Sequence, residues 1–189
     1  MNRFAREVVR NGCIAAAVLL GAFMAPASSA ETQSDGLIVR NERIGAARLG
    51  DTAAEVIAAL GQPGSSGFLG SGEGYMDYYD RIGEGVNHQV LTVQTWGPQN
   101  EVFWLVLHRG ARGRGYATPE GVTIGMSEMD VRIRLGQPSQ RIFDDGAVNW
   151  WLYYPGLVLI VDPSQGVQDI MICQPRYQHR GRAGRRWCY

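Results

Sequence analysis

Leu49-Gly50-Asp51-Thr52-Ala53-Ala54-Glu55-Val56-Ile57-Ala58-Ala59-Leu60-Gly61-Gln62-Pro63 returns 75 positions later as Ile124-Gly125-Met126-Ser127-Glu128-Met129-Asp130-Val131-Arg132-Ile133-Arg134-Leu135-Gly136-Gln137-Pro138. A glycine, a hydroxyl residue, an acid three positions on, a valine and a closing Leu-Gly-Gln-Pro recur in register, so the chain reads as an internal duplication. Each copy carries the start and stop signals of one short helix. Thr52 and Ser127 are N-caps whose side-chain oxygens can accept from a first-turn amide. Glu55 and Asp130, three residues on, can reach back to the cap amide and place negative charge at the positive end of the helix dipole. Gly61 and Gly136 supply the residue after the last turn, and Pro63 and Pro138 forbid continuation. The spacing predicts helices over 53–60 and 128–135. Helices so short are marginal alone, and Val56 with Leu60, and Val131 with Leu135, give each an apolar pair to bury.

Outward from these helices, the first thirty residues read as a signal peptide. Arg3, Arg6 and Arg10 precede an apolar run from Cys13 to Ala25 and a small-residue end at Ser28-Ser29-Ala30. The run is short of the 18 to 20 or so residues that a membrane anchor needs, so the mature protein is expected in the bacterial periplasm or outside the cell, not spanning the membrane. All 18 basic residues are arginine. Between 31 and 173 there are 10 arginines against 17 acids, whereas 174–189 hold Arg176, Arg180, Arg182, Arg185, Arg186 and no acid. An acidic body thus ends in a basic tail, and an exported acidic body argues against nucleic acid as a partner. Cys173 and Cys188 remain after signal removal and form a disulfide candidate in an oxidising compartment.

Residues 31–43 read as a leader in which Leu37 to Val39 could be a short strand, Arg40 to Arg48 leads into the first helix, and 64–74, rich in Gly and Ser, reads as a plain loop. Strand signals cover 75–80, 89–95 and 102–107, then 148–154, 157–162 and 167–172. Tyr78-Tyr79 matches Tyr153-Tyr154 at the same offset of 75. The expected domains are therefore repeat 1 at 44–107, a linker at 108–121, repeat 2 at 122–173 and the tail at 174–189. In the linker, Arg109, Arg112 and Arg114 among glycines could touch an anion, though a solvated connection is the plainer reading. A helix followed by three antiparallel strands, twice, implies an α+β architecture of two tandem repeats with the helices on one face of the sheet.

A helix capped after Leu-Gly or Ile-Gly, a Leu-Gly-x-Pro exit, an aromatic strand and a hairpin ending in a Val-x-x-Ile type strand resembles the SmpA/OmlA family of small outer-membrane assembly lipoproteins. Two such units in tandem are similar to the β-lactamase-inhibitor-protein fold. The resemblance spans roughly 44–107 and 122–172, without the lipoproteins' lipobox cysteine. It implies non-enzymatic protein binding in the cell envelope through the sheet face away from the helices.

Strand alternation suggests which residues lie there. With Asp77 and Asp169 marking the open side, Tyr75, Tyr79, Trp104, Trp150 and Tyr154 would line an aromatic face. Met76, Tyr78, Phe103, Leu105, Leu107, Trp151, Tyr153, Ile170 and Ile172 would pack under the helices. Exposed Tyr and Trp in one patch suit protein recognition, unless the tail or the linker covers them. No enzyme motif appears: His88, His108 and His179 are scattered, and there is no Gly-x-Ser-x-Gly, no His-Glu-x-x-His and no clustered metal ligands. No cofactor is expected. The leading expectation is a periplasmic module binding an envelope protein through the aromatic face. The alternatives are an anionic envelope polymer held by the C-terminal arginines and, last, an enzyme of unknown class.

Overall fold

The structure, a computed structural model, describes residues 36–70, 72–82 and 86–174, with the backbone alone at 80–82, 86 and 87. All belong to one compact unit. Both helices lie where their caps place them: α1 at Ala53–Leu60 and α2 at Glu128–Leu135. The Thr52 hydroxyl accepts from the Glu55 amide while the Glu55 carboxylate accepts from the Thr52 amide, closing a capping box; the Ser127 hydroxyl likewise accepts from the Asp130 amide.

The expectation of two α+β repeats, each a helix and three strands, is overturned. The described chain is mostly β, with two eight-residue α-helices beside a large and a small antiparallel sheet. The small sheet is β1 (Ile38–Val39), β2 (Arg43–Ile44) and β3 (Ala47–Arg48), inside and just after the stretch read as a leader. The large sheet contains β4 (Ser65–Gly70), β5 (Glu73–Ile82), β6 (Val86–Trp96), β7 (Glu101–His108), β8 (Gln140–Asp144), β9 (Asn149–Tyr154), β10 (Leu157–Asp162) and β11 (Gly166–Cys173). Its eight strands run in the order β4-β5-β6-β7-β11-β10-β9-β8. The two strands missed are its edges. Ser65-Ser66-Gly67-Phe68-Leu69-Gly70 carries turn-type residues and no alternation, yet it pairs with β5 from Ser65↔Asp77 to Gly70↔Glu73. There Gly67 lies against the Tyr75 ring, and a Cβ at Gly64 would meet Tyr79 Cδ2 at 2.6 Å. The tyrosines of β5 thus cover an edge that has little side chain of its own.

The main core lies on the helix side. Val56 and Val131 from the helices and Ile38, Ile44 and Ala47 from the small sheet meet Leu105, Leu107, Leu157, Leu159, Ile170 and Ile172. Two tyrosines tie this layer to the helix ends. The Tyr78 hydroxyl donates to the Gly61 carbonyl at 3.4 Å, and the Tyr154 hydroxyl to the Gly136 carbonyl at 3.1 Å. These tyrosines stand 76 positions apart, whereas the glycines they reach stand 75 apart. The extra residue falls in the β8–β9 hairpin, because Gly64 and Ser139, still 75 apart, donate to the carbonyls of Asp77 and Tyr153. The turn that absorbs it holds Val148 at φ 56°. A one-residue slip turns every side chain of a strand to the other face.

The edge strand β8 is clamped to α2. Arg141 donates to both carboxylate oxygens of Glu128 at 2.9 and 3.1 Å, and its guanidinium lies 3.1 Å from the centre of the Trp150 ring, which also meets Phe143 at 4.7 Å. Hydrogen bonds from Arg141 outweigh burial and hold the Glu128 carboxyl below the ordinary glutamate value. A depressed carboxylate stabilises the fold above its unfolded pKa and loses that contribution as pH falls through the folded value. We therefore expect Glu128→Gln to flatten the acid limb of the stability curve below about pH 4.3, an effect under about 1 kcal/mol for so exposed a pair, read from urea midpoints across pH 3 to 6. Burial raises Tyr78 and Tyr154 above the ordinary phenol value. The unfolded phenols then ionise first, so this contribution is lost as pH rises past about 10. Tyr78→Phe and Tyr154→Phe should each cost about 1 kcal/mol at neutral pH, and the double variant should lose less stability on going to pH 11 than the parent does.

Candidate functional site

The sheet face opposite the helices divides into two regions. Over β9, β10, β11 and β7 it is apolar: Tyr153 and Val158 are 1% and 2% exposed, with Val106, Trp151 and Met171 also buried and Trp104, Ile142 and Ile160 packed against them. The Trp151 and Tyr153 rings stack with centroids 6.5 Å apart. No described helix or strand packs over this cluster. Over β4 to β7 the same face is polar and half-open.

Here a row of side chains crosses five strands. Ser65 Oγ on β4 donates to Asp77 Oδ2 on β5 at 3.3 Å, and Thr92 Oγ1 on β6 lies 2.6 Å from Asp77 Oδ1. Thr92 Oγ1 is also 2.9 Å from His108 Nε2 on β7, and His108 Nδ1 is 2.8 Å from Asp169 Oδ1 on β11. Gln89 Nε2 donates to both Asp77 Oδ1 and Thr92 Oγ1, at 2.8 and 2.7 Å, and the Tyr79 hydroxyl approaches Asp77 Oδ2 at 3.5 Å. The ladder register sets this up: Ser65↔Asp77, Asp77↔Thr92 and His108↔Asp169 are cross-strand pairs. Thr92 has one hydroxyl hydrogen for two claimants. The hydroxyl donates to Asp77, and His108 Nε2 stands on the other side of the same oxygen.

Hydroxyl, imidazole and carboxylate stand here in the order of nucleophile, base and orienting acid. Yet Thr92 is 8% exposed, and its oxygen is already held by Asp77 and Gln89 as well as by His108. The row ties five strands together, and of the aromatic residues beside it Tyr79 is bonded to it. Among the described residues no group of three or more His, Cys, Asp or Glu could hold a metal ion.

Of the expected aromatic face, the structure brings Tyr75, Tyr79 and Trp104 onto this side with Asp77 and Gln94; Tyr79 is 42% exposed. Trp150 and Tyr154 are not there. They lie on the helix side, Trp150 between Arg141 and Phe143 and Tyr154 bound to α2's exit, while Trp151 and Tyr153, assigned to the helix side, face away from it. The cause is the inserted residue of the β8–β9 hairpin. Phe103 is buried, and the remaining residues expected under the helices, Met76, Tyr78, Leu105, Leu107, Ile170 and Ile172, are there. Cys173 ends β11, 5% exposed and paired in register with Trp104; Cys188 and the arginines Arg176, Arg180, Arg182, Arg185 and Arg186 lie outside the described residues.

No family model and no curated protein matches this chain. Two solved structures are similar to it. A DUF4309 family protein from Bacillus subtilis aligns at a TM-score of 0.43 and 12% identity, over 65% of this chain and 78% of its own. An extracellular protein containing an SCP domain, from Bacillus anthracis, aligns at 0.47 and 12% identity over 67% of this chain; the chain spans 44% of that protein. No helix of the described residues is long and apolar enough to cross a membrane.

Thr92→Val removes the hydroxyl that Asp77 and His108 share, leaving His108 Nε2 without its partner in the row, and should cost about 1 to 3 kcal/mol. His108→Gln combined with it should fall short of additivity by at least about 0.5 kcal/mol, measured by urea denaturation of the four proteins of the cycle.

Proposed function

We propose that the chain is a non-enzymatic module of the bacterial cell envelope, exported by its N-terminal signal, that binds a protein partner through the half-open sheet face of β4 to β7. The observation that carries this reading is the juxtaposition of Tyr75, Tyr79 and Trp104 with the fixed polar row of Asp77, Thr92, His108 and Asp169. Amphipathic rings supply contact area at small entropic cost, and a rigid row of donors and acceptors beside them fixes orientation. Tyr79, 42% exposed, remains within reach of a partner. The apolar cluster next to it is buried and supports the face without belonging to the contact surface. A disulfide between Cys173 and Cys188 belongs to the same proposal, since an exported protein meets an oxidising compartment.

The test replaces Tyr79 or Trp104 with a photo-activatable residue in cells. A discrete protein adduct is expected from both positions and not from Gln137, which is exposed beyond the end of α2. Tyr79→Ala should weaken capture of the identified partner by roughly 30-fold, the scale of an aromatic hot spot of about 2 kcal/mol. Adducts as abundant from Gln137, or none from either aromatic position, would overturn the proposal.

A further inference from the structure

The segment read as a solvated connection, Arg109 to Gly121, is not merely that. It opens with a 3-10 turn at Arg109–Ala111 in which Gly110 and Ala111 are buried, and a Cβ at Gly110 would sit 2.3 Å from the Gln89 carbonyl oxygen. The turn is therefore pressed onto β6, and its two flanking arginines, Arg109 and Arg112, are held at the mouth of a hollow of about 230 Å³. Ile124 and Val167 form its apolar wall, while His88, Gln165 and Gln168 add polar groups; among the described residues no carboxylate lines it. In a body where acids outnumber arginines, this is a local reversal of charge.

Both arginines are placed rather than loose. Arg109 Nη1 donates to Gln165 Oε1 at 3.4 Å. The Arg112 guanidinium lies flat over the Cα of Gly125: a Cβ there would fall 2.6 Å from Nε and 2.9 Å from Cζ and Nη2. Gly125 has φ +85°, so both the backbone and the guanidinium require the missing side chain. Arg112 has no ion-pair or hydrogen-bond partner for its side chain among the described residues. Through Arg112, Gly125 and Gln165 the hollow continues into a second, of about 550 Å³, where Ser127, Ser164 and Asp162 present hydroxyl and carboxylate groups.

We propose that this double hollow binds an acidic carbohydrate, its carboxylate at Arg109 and Arg112 and its hydroxyls along Ser127, Ser164 and Asp162. A guanidinium fork matches a planar carboxylate in two parallel hydrogen bonds, and in the second hollow Arg141 is already bound to Glu128 while Asp162 adds a further carboxylate, which disfavours a ligand charged along its whole length. The site shares no residue with the β4 to β7 face, so either proposal can fail alone.

The test is calorimetric titration of the full mature chain with a trisaccharide of two galactose units and one terminal galacturonate, with neutral galactose trisaccharide and free acetate as the other arms. The acidic trisaccharide should bind, weaken steeply between 50 and 500 mM salt, and lose at least tenfold in affinity with Arg112→Gln or Arg109→Gln. Gly125→Ala should produce the same loss with the charge kept, because the methyl displaces the guanidinium, and Arg112→Gln covers the case in which that variant does not fold. Arg48→Gln, outside the hollow, should bind as the parent does. Equal binding of the neutral sugar, acetate binding as tight as the trisaccharide, or unchanged affinity in both arginine variants would overturn it.

Discussion

The ladder between β7 and β11 is the contact on which the remaining architecture rests. It pairs Leu105 with Ile172 and Leu107 with Ile170, four side chains that are 0% exposed, and it makes a single eight-stranded sheet of two four-stranded stretches. Neither stretch would bury its inner strand edge without the other, and neither helix is long enough to persist without the sheet beneath it. Because the pleat has period two, the same ladder that turns Leu105 and Ile170 toward the helices turns Val106 and Met171 away from them, into the second buried cluster. It also brings His108 opposite Asp169, so the polar row is a direct product of the register that builds the core.

The helices were legible to the residue, since capping chemistry is local: Thr52 with Glu55, Ser127 with Asp130, and the two exit glycines each act within one turn. The edge strands were not. Ser65 to Gly70 has the composition of a loop and becomes a strand through the β5 tyrosines that cover it, and Gln140 to Asp144 is a polar strip held by Arg141 on Glu128 and Trp150. Tertiary partners supply what local propensity lacks there. Leu37 to Val39 was readable as a short strand and holds β1, but β2 and β3 escaped for a similar reason, as two-residue strands leave no periodicity to read.

The face away from the helices was half legible. Asp77 and Asp169 mark it correctly because a carboxylate is costly to bury among aliphatic side chains, and Tyr75, Tyr79 and Trp104 follow by alternation. Carrying that alternation at a fixed offset of 75 into β9 placed Trp150 and Tyr154 on the wrong side. The match was exact through the helix, and nothing in it announces that the next hairpin holds one residue more. His108 and Asp169 stand 61 positions apart, and Thr92 carries no motif, so their convergence could only be seen in three dimensions. Conversely Arg109 and Arg112 were visible as a cationic spacing, but the role of Gly125 as the floor beneath Arg112 was not.

The central ladder also orders the events of folding. The hairpins among β4 to β7, and those among β8 to β11, each join neighbours in sequence and close short loops, whereas β7 meets β11 only after the intervening chain has been made. Pairing across that separation carries more loop-closure entropy than any hairpin of the sheet and slows its completion. During synthesis the first four strands emerge with β7 as a bare edge, its row of amides and carbonyls unpaired until the final strand arrives. That interval is when the nascent chain is most open to aggregation, and it lengthens with every pause between residues 108 and 173.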